Sequence, residues 1–190
     1  MQNAANAQVT ISGPQCVTNN TVYMYNISGN FDSTHTWGLC ITGGSIDGTS
    51  VTCISGRRER YIKVTWTSAN VASMQLTSAS GTASLKVSIT TQLSGGTIDS
   101  SVVFQGIDSV TTPATIACSL PLGGGCNPSY QYQWQRSADN LVWTDIAGAN
   151  SQTLRFSKPL NQSTYFRRKV KTTASDAYAV SNTAAIFINH

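Results

Sequence analysis

The sequence predicts an all-β chain built of two antiparallel β-sandwich domains in tandem. Strand-length runs with period-two alternation recur at short intervals between clusters of Gly, Ser, Asn and Asp, and no window sustains apolar residues at i, i+3, i+4 and i+7. Hydrophobic residues reach 40% while charged ones stay at 11%, a balance too apolar for a disordered chain. At 190 residues the chain exceeds the common single-domain size of roughly 100 to 150 residues, which suggests two modules.

In the first half the strand signals are QVTIS (8–12), TVYMYNI (21–27), THTWGLCI (34–41), SVTCI (50–54), YIKVTW (61–66), SMQLTSAS (73–80) and ASLKVSI (83–89), with a turn at GGSIDG. YIKVTW shows the logic most clearly. Ile62, Val64 and Trp66 share one face of the strand and Tyr61, Lys63 and Thr65 the other, so one face is buried and one is wet. Two glycines break the pattern in QLSGGTI (92–98), which places the boundary there and gives domains at 8–92 and 93–190. The second half continues with SVVFQG (101–106), TPATIAC (112–118), YQYQWQRS (130–137), VWTDIA (142–147), QTLRFS (152–157), TYFRRKVKT (164–172) and NTAAIFIN (182–189). In YQYQWQRS the rings of Tyr130, Tyr132 and Trp134 alternate with three glutamines and project from one side. Rings that bury roughly 150 to 250 Å² each belong inside, so Trp134 and Trp143 are assigned to the core. Tyr130, nearest the strand end, is the ring expected to be most exposed. A Trp on a central strand is also how immunoglobulin-type sandwiches fill their middle.

The cysteines are Cys16, Cys40, Cys53, Cys118 and Cys126, with no C-x-x-C pair. With only His35 and His190 beside them, disulfides are expected and a metal site is not. Cys40 and Cys53 enclose ITGGSIDGTSVT, which reads as a hairpin whose arms bring the two Cα atoms to about 5.5 Å. Cys118 and Cys126 bracket SLPLGGG, a short loop that a bridge closes. Cys16 is then left over, either free and buried or open to an intermolecular bond, and the full pairing stays open. Such usage fits an oxidising compartment. MQNAANAQ has neither a basic nor an apolar signal region, and because the cysteines point to an exported chain, it reads as beginning after a removed leader. No run of about 18 apolar residues occurs, so no membrane span is expected in this chain.

The run YQYQWQRSADNLVWTDIAGANSQTL, followed by FSKPLNQSTYFRRKV and SNTAAIFI, resembles the Ig-like repeat module of very large secreted surface proteins of Bacteroidetes bacteria. That pattern is YQWQ, an S-x-D-x turn, W-T-x-I-x-G-A, T-Y-F-R-R and SN before the last strand, and it covers most of residues 93–190. The first half is similar to PKD-like modules, in ISGP (11–14), the aromatic strand ending near Tyr25, HTW with GG six residues on, VTW at 64–66 and the closing SLKVSI. It departs from them in carrying Cys40 and Cys53, so the bond expected there is a local inference. The resemblance implies tandem PKD-like and Ig-like sandwiches, an extracellular or cell-surface location, and a role as stalk, adhesin segment or filament subunit. It implies no catalysis and no cofactor. Its partners would be other domains of a larger surface protein or copies of itself.

The acidic residues, Asp32, Asp47, Glu59, Asp99, Asp108, Asp139, Asp145 and Asp176, mostly sit beside Gly, Ser or Asn, where Asp serves turns, and no carboxylate pair or nucleophile with a base emerges. His35 shares its parity with Trp37 but has no acid tied to it. Asp99 and Asp108 are the nearest approach to a calcium loop, and two acids make a poor cage. GRRER (56–60) and YFRRKVK (165–171) are basic. In the latter, Phe166, Arg168 and Val170 face one way and Arg167, Lys169 and Lys171 the other. Nucleic acid is not expected, because its recognition wants rings interleaved with cations on one exposed face. Solvated strand faces account for both clusters, with acidic polysaccharide as their functional alternative. Another class of reading is a carbohydrate-binding module that uses exposed Tyr23, Tyr61, Tyr130 or Tyr178 as possible ligand-contacting rings. Open sandwich edges allow self-association, with MQNAANAQ as a donor segment. DST (32–34) and DSV (108–110) look like O-glycosylation sites of exported proteins of that bacterial group.

Overall fold

A computed structural model describes residues 8–29, 31, 37–56, 60–67 and 72–189. Residues 1–7 of MQNAANAQ, His35, the DST motif and Arg57, Arg58 and Glu59 of GRRER lie outside the described residues. The chain divides into two compact units, Met1–Thr91 and Gln92–His190, and each has its own core of buried side chains.

The first unit holds β1 (Thr10–Ser12), β2 (Cys16–Thr18), β3 (Val22–Ser28), β4 (Trp37–Thr42), β5 (Gly44–Ile46), β6 (Cys53–Ser55), β7 (Tyr61–Trp66), β8 (Ala72–Ser78) and β9 (Gly81–Thr90). They form two facing sheets, β1-β3-β7-β5 and β2-β9-β8-β4-β6. Ile62, Val64 and Trp66 are buried, as their alternation requires, and meet Leu39, Ile41, Met74 and Leu76. Two strands escaped the sequence pattern. β2 is three residues long and pairs parallel to β9, and β5 lies inside the expected GGSIDG turn. After β4 the chain crosses to the other sheet, where Gly44 pairs with Trp66 and Ile46 with Val64. A side chain at Gly44 would run into the Thr65 carbonyl and the Trp66 ring. Asp47 (φ 51°) and Gly48 (φ 72°) then turn the chain back toward β6, in the left-handed region that Asp tolerates and Gly occupies freely.

The second unit holds β10 (Phe104–Asp108), β11 (Tyr130–Ser137), β12 (Thr144–Asp145), β13 (Thr164–Thr172), β14 (Tyr178–Val180) and β15 (Ala184–Asn189). They make one sheet in the order β10-β15-β13-β11-β12, with β14 also on β13. The edge pair β10 and β15 is parallel, the remaining pairs antiparallel. The opposing layer is leaner than the sequence suggests. TPATIAC and QTLRFS, expected as full strands, meet each other only at the bridge Ile116↔Leu154, and a second bridge, Ile98↔Cys118, ties the first of them to QLSGGTI. Pro113 and Pro121 each remove a donor at the ends of the first segment, and Pro159 follows the second, so ladder pairing cannot extend. Even so, Ile98, Ile116, Cys118 and Leu154 close over Trp134, Phe166 and Ile186 to complete the core. The result is an Ig-like β-sandwich. The two glycines of QLSGGTI are part of this packing. A Cβ at Gly95 would strike the Val180 carbonyl group, and Gly96 (φ 77°) lies against the Arg168 guanidinium and Ser119.

Candidate functional site

β13 carries two sets of cations on its two faces. Arg168 points inward and is fully buried. Its Nη1 donates to the Gln152 carbonyl at 2.9 Å, and its Nη2 to the carbonyls of Gly95 (2.9 Å) and Ser119 (2.6 Å). Tyr132 offers its ring face 4.8 Å from the guanidinium carbon. Burial lowers the Arg168 pKa, and an arginine nevertheless stays a cation at any ordinary pH. The residues around it are equally committed. Ser181 Oγ accepts the Arg168 N–H at 2.9 Å, and Asn182 Oδ1 accepts the Ile98 N–H at 2.6 Å.

The outward face is different. Gln131, Gln133 and Gln135 of β11 stand in register with Lys171, Lys169 and Arg167 of β13. Arg167 lies 4.2 Å over the Trp143 ring, and its Nε donates to Gln135, whose Nε2 donates to Asp145. Trp143 was expected in the core. It is half-buried and covers the outside of the sheet instead, because a stacked guanidinium and its aliphatic stem give the indole cover that the interior would otherwise supply. Further along, Lys169 sits 4.6 Å over the ring of Tyr178, and Lys171 pairs with Asp176 at 3.2 Å. Beside them runs a groove of about 710 Å³, lined by Tyr130, Gln131, Gln133, Asp145, Asn150, Lys169, Lys171, Asp176 and Tyr178 among others.

Two of the four tyrosines singled out in the sequence, Tyr130 and Tyr178, line that groove. Tyr178 is 58% exposed, whereas Tyr130 is half-buried with its hydroxyl donating to the Gly123 carbonyl. Tyr132 is likewise half-buried, and Trp134 is fully buried. In the first unit Tyr23 packs against the core and accepts the Thr18 N–H, while Tyr61, 65% exposed, lies on the outer face of β7. The groove could not be read from sequence because its parts come from β11, β12, β13 and β14, and β14 carries no clear strand pattern.

Asp99, Asp108 and Asp139 are turn-formers. Asp99 Oδ1 accepts from Ser101, Asp108 Oδ1 from Val110 and Thr111, and Asp139 Oδ1 from Ser137, Leu141 and Val142. These bonds hold all three below the usual carboxylate pKa. Among the described residues no group of three or more His, Cys, Asp or Glu could hold a metal ion. The DSV motif lies at such an exposed turn and begins on Asp108, the last residue of β10.

Cys40 and Cys53 are bonded, with Cα atoms 4.1 Å apart, as a directly opposed pair of β4 and β6. Replacing both by serine is expected to cost about 2 to 3 kcal/mol, measured by urea unfolding. An unchanged midpoint would mean that the bond adds nothing. The pairing expected between Cys118 and Cys126 does not form. Cys118 is a free, buried thiol, whereas Cys126 and Cys16 are each disulfide-bonded, so Cys16 is not left over either. The reason lies in parity. Cys118 shares the inward face of its segment with Ile116, so its sulfur enters the core and not the loop. Burial pushes its pKa up, with Arg168 opposing.

Residues 68–190 match a family described as Domain of unknown function (DUF8696). The chain belongs to that family. The match takes in β8 and β9 as well as the whole second unit, so the family's extent crosses the boundary between the two units. No curated protein matches the chain. Among solved structures it is similar to domains A168-A170 from titin, with a TM-score of 0.47, 10% identity, and coverage of 97% of this chain and 68% of that one. It is also similar to the C-terminal 282-residue fragment of intimin, solved in complex with the intimin-binding domain of the translocated intimin receptor, with a TM-score of 0.46 and 15% identity over 96% of this chain and 65% of that one. The D00-D0 domain of intimin follows, at 0.40 and 12% over 95% and 100%. Among the described residues no helix is long and apolar enough to cross a membrane.

Proposed function

We propose that this chain is a non-catalytic structural and adhesive segment of a secreted bacterial surface protein, a PKD-like module followed by an Ig-like one. It serves as a stalk, adhesin section or filament subunit in a protein of Bacteroidetes type. One observation carries the reading: in the second unit, the polar residues of the recurrent pattern are engaged in architecture. Arg168 ties three carbonyls, Ser181 and Asn182 hold backbone N–H groups, and Asp139 closes its turn. A side chain already committed to the fold is a poor catalyst, since chemistry needs groups free to bind and exchange protons. Disulfide-bonded Cys16, Cys40, Cys53 and Cys126 support an oxidising, extracellular setting. Its partners are other domains of the parent protein or further copies of itself.

The test is surface accessibility. On intact producing cells, externally added protease is expected to remove epitopes of this chain, and deletion of the segment is expected to reduce adherence without loss of a hydrolytic activity. Complete protection of the epitopes in intact cells would refute the surface role.

A further inference from the structure

We infer that the outward groove of the second unit binds an uncharged glycan. The inference rests on the adhesive half of the reading above and names its ligand class. The groove's volume, about 710 Å³, falls within the range of specific ligand sites. Its chemistry is that of polyol recognition. A sugar presents hydroxyls that both donate and accept, beside an aliphatic ring face that packs on an aromatic surface. The groove answers each feature. Tyr178 supplies the ring, 58% exposed and steadied by the Lys169 ammonium 4.6 Å from its centroid. The Gln131 and Asn150 amides supply donors and acceptors together. Gln133 is fixed by the two bonds that its Nε2 donates to Trp134 and Ile146, which leaves its amide oxygen as an acceptor.

Charge selects among glycans. The groove's two lysines, Lys169 and Lys171, are balanced by Asp145 and Asp176, so a polyanion gains no net attraction there. Arg167, the third outward cation, is stacked on Trp143 and bonded to Gln135. This argues against acidic polysaccharide and against a nucleic-acid backbone, whose affinity comes from uncompensated cations. The floor is also rigid, because Gln131, Gln133, Lys169 and Lys171 sit on paired strands, and little ordering is needed on binding.

The experiment titrates the intact chain with neutral hexasaccharides of glucose, mannose, galactose and xylose, and with heparin as the polyanion, by calorimetry and amide chemical shifts. At least one neutral hexasaccharide is expected to bind saturably, with shifts at Gln131, Gln133 and Tyr178 and an affinity that holds between about 0.05 and 0.5 M salt. Tyr178→Ala is expected to weaken it about tenfold or more, while Tyr178→Phe retains it. Tyr178 is exposed, so both variants should keep the wild-type melting temperature. A lack of binding to every neutral hexasaccharide, equal binding by Tyr178→Ala, or binding to heparin alone that salt abolishes would each overturn the inference. Surface accessibility is scored separately on cells, so the structural reading can stand while this one falls.

Discussion

Arg168→Ala is expected to destabilise the second unit by about 3 to 5 kcal/mol, because three buried carbonyls lose their charged donor and a large side chain leaves a cavity. The side chain is wholly buried and holds carbonyls from three separate segments, at Gly95, Ser119 and Gln152. Truncation strips all three of a charged donor and opens a cavity beneath Tyr132. Arg168→Lys should recover only part of the loss, because an ammonium cannot reproduce the planar fork that reaches several acceptors at once. At roughly 4 to 8 °C per kcal/mol for a domain of this size, calorimetry should show the alanine variant melting at least about 10 °C lower. Arg167→Ala is the matched control. That residue lies on the outward face against Trp143, so its loss should cost about 1 kcal/mol or less. Equal effects at 167 and 168 would show that the interior cation is not the pin between the layers. Arg168 stands opposite Trp134 in register, and its charge opposes the rise that burial gives the pKa of the free Cys118 thiol.

The parity of residues along β11 and β13 was legible in the sequence, because period-two alternation survives any detail of packing. Trp134 lies inside, and Arg168 lies opposite Arg167 and Lys169, as alternation requires. What alternation cannot reveal is whether an inward polar residue finds partners. Arg168 reads as one more cation on a basic strand until Gly95, Ser119 and Gln152 are brought around it, and those contacts span 73, 49 and 16 residues of chain. The same limit explains the cysteines. A short loop between Cys118 and Cys126 suggests a bridge, yet Cys118 shares the inward face with Ile116, a face fixed only once Ile98 and Leu154 from distant segments pair with this one. Trp143 shows the converse. Its size argued for the core, and the cation that lets it remain outside is 24 positions away by number, at Arg167. Short strands were the remaining loss: β2, β5 and β14 are three residues each, too brief for a pattern and formed only because a longer neighbour offers an edge.

Trp66→Ala is expected to cost the first unit about 3 to 5 kcal/mol, the range for removing a fully buried large aromatic side chain. The indole is completely enclosed and meets Tyr25 edge-on, with ring centroids 5.9 Å apart and planes at 84°. A polar relay accompanies the packing. Trp66 Nε1 donates to the Tyr25 hydroxyl at 3.0 Å, and that hydroxyl donates to the Pro14 carbonyl at 2.8 Å. Burial raises the Tyr25 pKa, which keeps the phenol protonated as the middle link. Tyr25→Phe removes that link while leaving the ring, so the indole N–H and the Pro14 carbonyl both lose a partner, at about 1 to 3 kcal/mol. Trp66→Phe keeps the Tyr25 to Pro14 bond and should be milder than Trp66→Ala. Because the two residues touch, the Tyr25→Phe and Trp66→Phe losses should fall short of additivity by at least about 0.5 kcal/mol in a double-mutant cycle read by urea unfolding. Tyr61→Ala on the opposite face of the same strand, where the side chain is 65% exposed, should change stability by no more than about 0.5 kcal/mol. If Tyr61→Ala proved as damaging as Trp66→Ala, β7 would not be burying the face that holds Ile62, Val64 and Trp66, and the assignment of the layers would fail with it.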